Sequence, residues 1–203
     1  MGHVGMAAAA VRYLRADHPV EALPRPELRC VREDERAPVD PGEFRRVLGS
    51  FASGVTVVTA PAVEGEDVGV GGGAGPAGFA CQSFSSLSLD PPLVAFMVGR
   101  TSTTWPRIAR AGVFCVNVLS ARQAGLCRAF AASGTDKFAG VAHDAAPVSG
   151  APRLTGTLAW IDCAVHAVHT GGDHLVVVGR VNALGTGEGA DEPPLLFHKG
   201  RFL

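Results

Sequence analysis

Short apolar runs rich in β-branched residues follow one another along most of this chain, with tight turns between them and few helical interruptions. Parallel strands need a crossover between each pair, usually a helix. Regular crossover helices are missing here, so an antiparallel, mainly β architecture with short helices is expected, closed as a barrel. Val55-Thr56-Val57-Val58-Thr59 is the clearest run. Gly78 to Leu89, Leu93 to Val98, Val113 to Leu119, Leu158 to Val168, Leu175 to Leu184 and Leu195 to about Phe202 follow it. Asp90-Pro91-Pro92 breaks the second from the third, and Thr170-Gly171-Gly172-Asp173 turns the fifth into the sixth.

Helical spacing is confined to three places. Asp40-Pro41-Gly42-Glu43 reads as a helix start, and Phe44, Val47, Leu48 and Phe51 follow on one face, with Gly54 as the stop. Ser102 to Ala111 and Ala121 to Ala132 are the other two, Pro106 falling in the first turn of the former. Residues 1–39 differ in composition, mixing prolines with charges of both signs. They are expected to form a mobile N-terminal extension or an arm on a partner subunit, anchored by Val11, Tyr13 and Leu14. Residues 40–203 are expected to be the folded domain.

Charge and cysteine content exclude several functions. Eighteen basic residues against nineteen acidic ones give a net charge of -1. A nucleic-acid module would show a basic excess. No apolar run reaches the roughly 18 residues of a membrane helix. Cys30, Cys81, Cys115, Cys127 and Cys163 are odd in number and form no C-x-x-C pair, which disfavours a disulfide framework or a zinc site. Cys81, Cys115 and Cys163 lie in apolar strand-like runs and read as reduced packing residues of a cytoplasmic protein. The apolar stretch Met6 to Val11 is too short for a signal-peptide core.

Gly73-Ala74-Gly75-Pro76-Ala77-Gly78 matches G-x-G-x-x-G, but acidic residues precede it and a strand-like run follows. A dinucleotide fingerprint leaves a buried strand and opens a helix, so this is read as part of a glycine-rich 61–77 loop. In Ala80-Cys81-Gln82-Ser83-Phe84-Ser85-Ser86-Leu87-Ser88 small hydroxyls dominate. That pattern fits either a serine-rich edge strand or a bed where a flat ring approaches the backbone. Arg100-Thr101-Ser102-Thr103-Thr104-Trp105 offers hydroxyls and a cation at a helix start, suited to a phosphate or simply to capping. Asp136-Lys137-Phe138 and Gly171-Gly172-Asp173-His174 are weaker candidates. In the first, Lys137 would pair with a phosphate and Phe138 lie against a ring; in the second, His174 would stand at a barrel rim. His166 and His169 would face opposite ways on a regular strand, which argues against a metal pair. His143 and His198 carry no pattern, and no G-x-S-x-G elbow marks a nucleophile.

Taken in order, Phe44 to Thr59, Gly78 to Pro92, Asp136 to Gly140 and Gly172-Asp173-His174 resemble the flavin reductases that serve two-component monooxygenases. The resemblance covers about residues 43–203. The subgroup it is most similar to includes reductases of steroid-ring hydroxylases and of aromatic polyketide pathways. Ala80-Cys81-Gln82-Ser83 follows the steroid-type form rather than the Thr-Ala-Asn-Ser of many relatives.

The resemblance implies a Greek-key, FMN-binding split β-barrel that forms a homodimer with flavin at the subunit interface. It implies a flavin bed at Gln82, Ser83, Phe84, Ser85, Ser86 and Ser88. Ser102, Thr103, Thr104 and Trp105 would hold the phosphate end with Arg100 nearby, and Asp136 and Lys137 would close the site. His174, with Phe138, would border the nicotinamide and is the catalytic candidate. The implied activity is transfer of hydride from NADH or NADPH to FMN or FAD. Reduced flavin would then diffuse to a separate flavin-dependent oxygenase. Two alternatives stand beside it: an enzyme that retains its flavin and acts on a biosynthetic metabolite, and a non-catalytic flavin-binding barrel. No nucleic acid and no membrane are expected as partners.

Overall fold

The computed structural model describes residues 39–63, 75–133 and 136–203. The expectations for the N-terminal extension, for Cys30 and for most of the glycine-rich loop lie outside the described residues.

Helix α1 spans Pro41–Leu48. Short strand β1 (Ser53–Gly54) precedes β2 (Thr56–Ala60), β3 (Ala77–Cys81), β4 (Ser85–Leu89) and β5 (Pro92–Gly99). Helix α2 (Trp105–Ala111) leads to β6 (Val113–Val118), and a 3-10 turn at Ala121–Gln123 runs into α3 (Ala124–Ala131). Strands β7 (His143–Ala145) and β8 (Pro152–Leu154) form a hairpin before the two long strands β9 (Ala159–Gly171) and β10 (His174–Thr186). β11 (Leu196–His198) and β12 (Arg201–Phe202) end the chain.

Seven strands make one antiparallel sheet in the order β3-β2-β6-β9-β10-β5-β4. Mainly β, antiparallel and with short helices is therefore correct. The sheet curls, because Phe79 on β3 meets Phe96 on β5 with ring centroids 5.9 Å apart. Among the described residues no ladder joins the outer strands β3 and β4. β1, β11 and β12 form a separate three-stranded sheet.

Four expectations need correction. α1 stops at Leu48 rather than at Gly54, because Ser50 and Phe51 tighten to i–3 bonds and Lys199 N–H takes the carbonyl of Gly49. Gly78 to Leu89 is two strands, not one, split at Gln82–Phe84. The last strand is a hairpin turning at Lys199 and Gly200, both at positive φ. In β9 a register shift opposite Val178/Gly179 leaves His166 as an extra residue, so the regular alternation assumed between His166 and His169 is interrupted.

Among the described residues a small apolar cluster around Cys115, Ala146 and Ala151 and two large ones fill the interior. Phe96, Phe114, Ile108 and Trp105 centre one, and Val57, Leu119, Phe130 and Leu195 the other. Each large side chain buried this way contributes about 1.5–3 kcal/mol. One polar staple crosses the core. Asn117 donates to the carbonyls of Val57 (3.2 Å) and Pro152 (3.3 Å) and accepts from the amide of Leu154 at 2.8 Å. It thereby pins β8 to the sheet. Cys81, Cys115, Cys127 and Cys163 are buried and unbridged, as packing residues would be. Burial pushes the Cys115 thiol up to about 12.

Candidate functional site

β5 organises the site. Its outer neighbour β4 is the last strand in the sheet, so among the described residues one side of β4 has no ladder partner. Gln82, Ser83, Ser85 and Ser86 are exposed along this edge, whereas Phe84 and Ser88 are half-buried, and Phe84 packs on the first apolar cluster. Ladder pairing to β5 starts only at Ser85, opposite Ala95. Before that, Ser83 bonds Met97 through its side chain: Oγ donates to the Met97 carbonyl at 3.0 Å and accepts from its amide at 2.9 Å. The serine segment is thus an open edge beside β5, not part of the interior.

Past the end of β5 the chain meets the β9–β10 turn. Arg100 N–H donates to the carbonyl of Asp173 at 2.9 Å, and Arg100 Nη1 donates to that of Gly172 at 3.5 Å. Gly99 pairs with His174, and a Cβ at Gly99 would lie 4.0 Å from His174 Nε2. Asp173 Oδ1 sits 2.7 Å from His174 Nδ1. That bond holds the Asp173 carboxyl below the usual carboxylate range. It also directs the other ring nitrogen, Nε2, toward Gly99. The residue types alone did not assign Asp173 a part in this pair, although an Asp directly before the candidate His was a usable signal.

The phosphate candidates divide. Ser102 Oγ accepts from Trp105 N–H at 3.1 Å, so this hydroxyl satisfies the first amide of α2. Trp105 is buried edge-on against Phe96, so its ring belongs to the core. Thr103 is exposed and Thr104 half-buried on the approach to the helix. Ser102 and Trp105 serve the helix start and the core; Arg100, Thr103 and Thr104 are the groups left facing outward or toward the turn.

Asp136, Lys137 and Phe138 are held elsewhere, against β3 and α3. Lys137 Nζ donates to the carbonyls of Phe130 (2.9 Å) and Gly78 (3.2 Å). Burial lowers the pKa of this ammonium. Asp136 Oδ1 accepts from Phe138 N–H at 3.0 Å, which closes a local turn. Phe138 packs edge-on against Phe130 and His143. These contacts give Lys137 and Phe138 a structural use within the chain.

Two cavities among the described residues have none of the serine-edge residues in their linings. One of about 330 Å³ is lined by Pro61, Pro76, His143, Asp144, Gly150 and Pro152 among others, and a smaller one by Arg153, Trp160 and Gly187. The structure therefore brings the Gln82–Ser86, Gly99–Thr104 and Gly172–His174 segments together along and beyond β5, and leaves Asp136–Phe138 behind β3.

Comparison with known proteins gives this arrangement a family. Residues 48–203 match the model of the flavin reductase like domain. The chain is 49% identical over 164 residues, 81% of its length and 77% of the relative's, to the reductase subunit HsaB of a flavin-dependent monooxygenase from Rhodococcus jostii. Nitrilotriacetate monooxygenase component B from Mycobacterium thermoresistibile superposes with a TM-score of 0.71 at 44% identity, covering 80% of this chain and 84% of that one. The NADH:FAD oxidoreductase SgcE6 of Streptomyces globisporus, solved with NAD and FAD fragments, gives a TM-score of 0.70 at 36% identity over 83% of this chain and 96% of that one. A family model spanning most of the folded part, and relatives this similar over four-fifths of the chain, lead to one conclusion: the chain belongs to the flavin reductase-like domain family.

Proposed function

We propose that the chain is an NAD(P)H:flavin oxidoreductase that reduces FMN or FAD and releases it to a separate flavin-dependent oxygenase. The observation that carries this reading is the exposed edge at Gln82–Ser86, in a chain whose relatives are reductase components of monooxygenases. The edge fits a flat cofactor: its side chains are mostly small, and among the described residues its outer strand has one side without a ladder partner. A flavin bound there would supply the hydride acceptor. The chain supplies the bed. Gln82, Phe84, Ser85 and Ser86 would line the ring, Arg100, Thr103 and Thr104 the phosphate end, and His174 the nicotinamide side. His174 would act by position, its Nδ1 tied to Asp173. NADH is the favoured donor, since the solved relative from Streptomyces globisporus is an NADH:FAD oxidoreductase.

The sheet is read as a split barrel in a homodimer. Leu89 is 94% exposed on β4, Phe51 is 81% exposed beyond α1, and Phe44, Val47 and Leu48 are exposed along α1. A single chain leaves this apolar surface in water; a second copy would cover it. Buried, unbridged cysteines support a reducing, cytoplasmic setting. Among the described residues no helix is long and apolar enough to cross a membrane.

Anaerobic mixing with NADH or NADPH and each flavin tests the activity. Loss of the flavin's visible absorption band is expected; a band that persists with every pairing overturns it. His174→Ala should raise KM for NADH more than it changes flavin affinity, and the reverse pattern would put His174 beside the wrong ligand.

A further inference from the structure

We propose that Ser83 is a positioning residue whose hydroxyl shapes the flavin edge by fixing the main chain, and itself makes no flavin contact. The proposal rests on the reading of the site given above and assigns one of its residues a different part.

A serine hydroxyl has one proton to donate and two lone pairs to accept. At Ser83 all three are taken. Its proton goes to the Met97 carbonyl (3.0 Å), and one lone pair takes the Met97 amide (2.9 Å). Cys81 Sγ lies 3.4 Å from Ser83 Oγ; with the hydroxyl proton already placed, the thiol is the donor. Cys81 is buried, and burial raises its pKa, so the thiol keeps that proton. Met97 thus takes the hydroxyl's proton and one lone pair, and the other lone pair faces the Cys81 thiol.

The geometry shows what the hydroxyl does instead. In an antiparallel ladder, opposed residues exchange an N–H and a C=O in both directions. Ser83 makes that double exchange with Met97 using its side chain alone. The main chain of Gln82–Phe84 is thereby released from the ladder while the corner stays fixed to β5. Pairing resumes at Ser85 opposite Ala95. Alanine at position 83 would free the Met97 amide and let the corner drift. Threonine would keep the hydroxyl.

Two readouts on the full-length protein test this: amide hydrogen exchange without flavin, and FMN and FAD affinity by fluorescence titration. In Ser83→Ala, exchange at Met97 should rise at least about tenfold, exchange at Val58 should stay slow, and the flavin Kd should rise about tenfold. Ser83→Thr should restore both. Unchanged flavin affinity in Ser83→Ala overturns the proposal. Weakened affinity with unchanged Met97 exchange also overturns it, since that is the signature of a direct contact. Lost protection at Val58 would make Ser83 a general fold residue and overturn it too. A wild-type chain that binds neither flavin overturns the site reading itself, and is told apart because it needs no variant.

Discussion

β2 and β4 are both five-residue strands of one sheet, yet every residue of β2 is buried and four of the five in β4 are exposed. β2 sits between β3 and β6, while β4 ends the sheet. Composition follows position. Thr56-Val57-Val58-Thr59-Ala60 is mostly β-branched and buried throughout, with Thr56 donating to the carbonyl of Cys81 and Thr59 to that of Pro152. Ser85-Ser86-Leu87-Ser88-Leu89 is built from small hydroxyls and two leucines facing water. The inner strand is completed by its own chain. The outer one has polar groups and apolar surface to offer, which fits the proposed ligand and second subunit.

The contrast breaks most sharply from the inside. Phe96 is fully buried and touches Phe79, Phe114 and Trp105 ring to ring, so Phe96→Ala should cost about 3–5 kcal/mol in urea unfolding. Gly179→Ala comes next, since a Cβ there would collide with the Phe114 ring at the β9–β10 irregularity; about 1–3 kcal/mol is expected. On the outer strand the effect should move from stability to assembly. Leu89→Asp should weaken self-association at least about tenfold by analytical ultracentrifugation. A monomer in both proteins would remove the second copy from the account.

The smallest effect belongs to the exposed pair on the β7–β8 hairpin. Arg153 Nε donates to Asp144 Oδ1 at 2.7 Å and holds that carboxyl below its ordinary range. A depressed carboxylate stabilises above its unfolded pKa and loses that contribution as pH falls through the folded value. Asp144→Asn should therefore cost less than about 1 kcal/mol at neutral pH, with the difference from wild type closing below about pH 4.

Strands were legible wherever β-branched runs met their turns: Val113 to Leu119, Leu175 to Leu184 and the Gly172-Asp173 turn lie where the residues placed them. The hairpin β7–β8 was not, because three-residue strands carry too little pattern. Its register is set by Asp144 with Arg153 and by Asn117, contacts between residues distant in sequence. The break at Gln82–Phe84 was hidden for a related reason. A side chain replacing a ladder pair leaves the local alternation intact, so the run from Gly78 to Leu89 reads as continuous. At the site, residue types identified the segments but not their use. Lys137 and Trp105 read as ligand groups, and nothing in their own segments announces their contacts with Gly78, Phe130 and Phe96.

The central claim is that the serine edge beside β5 is where flavin lies. Titration of FMN and FAD into wild type and Ser85→Trp, monitored by flavin fluorescence, tests it most directly. Ser85 is exposed and its hydroxyl bonds only the neighbouring Ser86 carbonyl, so the fold should tolerate the change. The account predicts a loss of affinity of at least about tenfold, with unfolding unchanged. Equal affinity in the two proteins would contradict it.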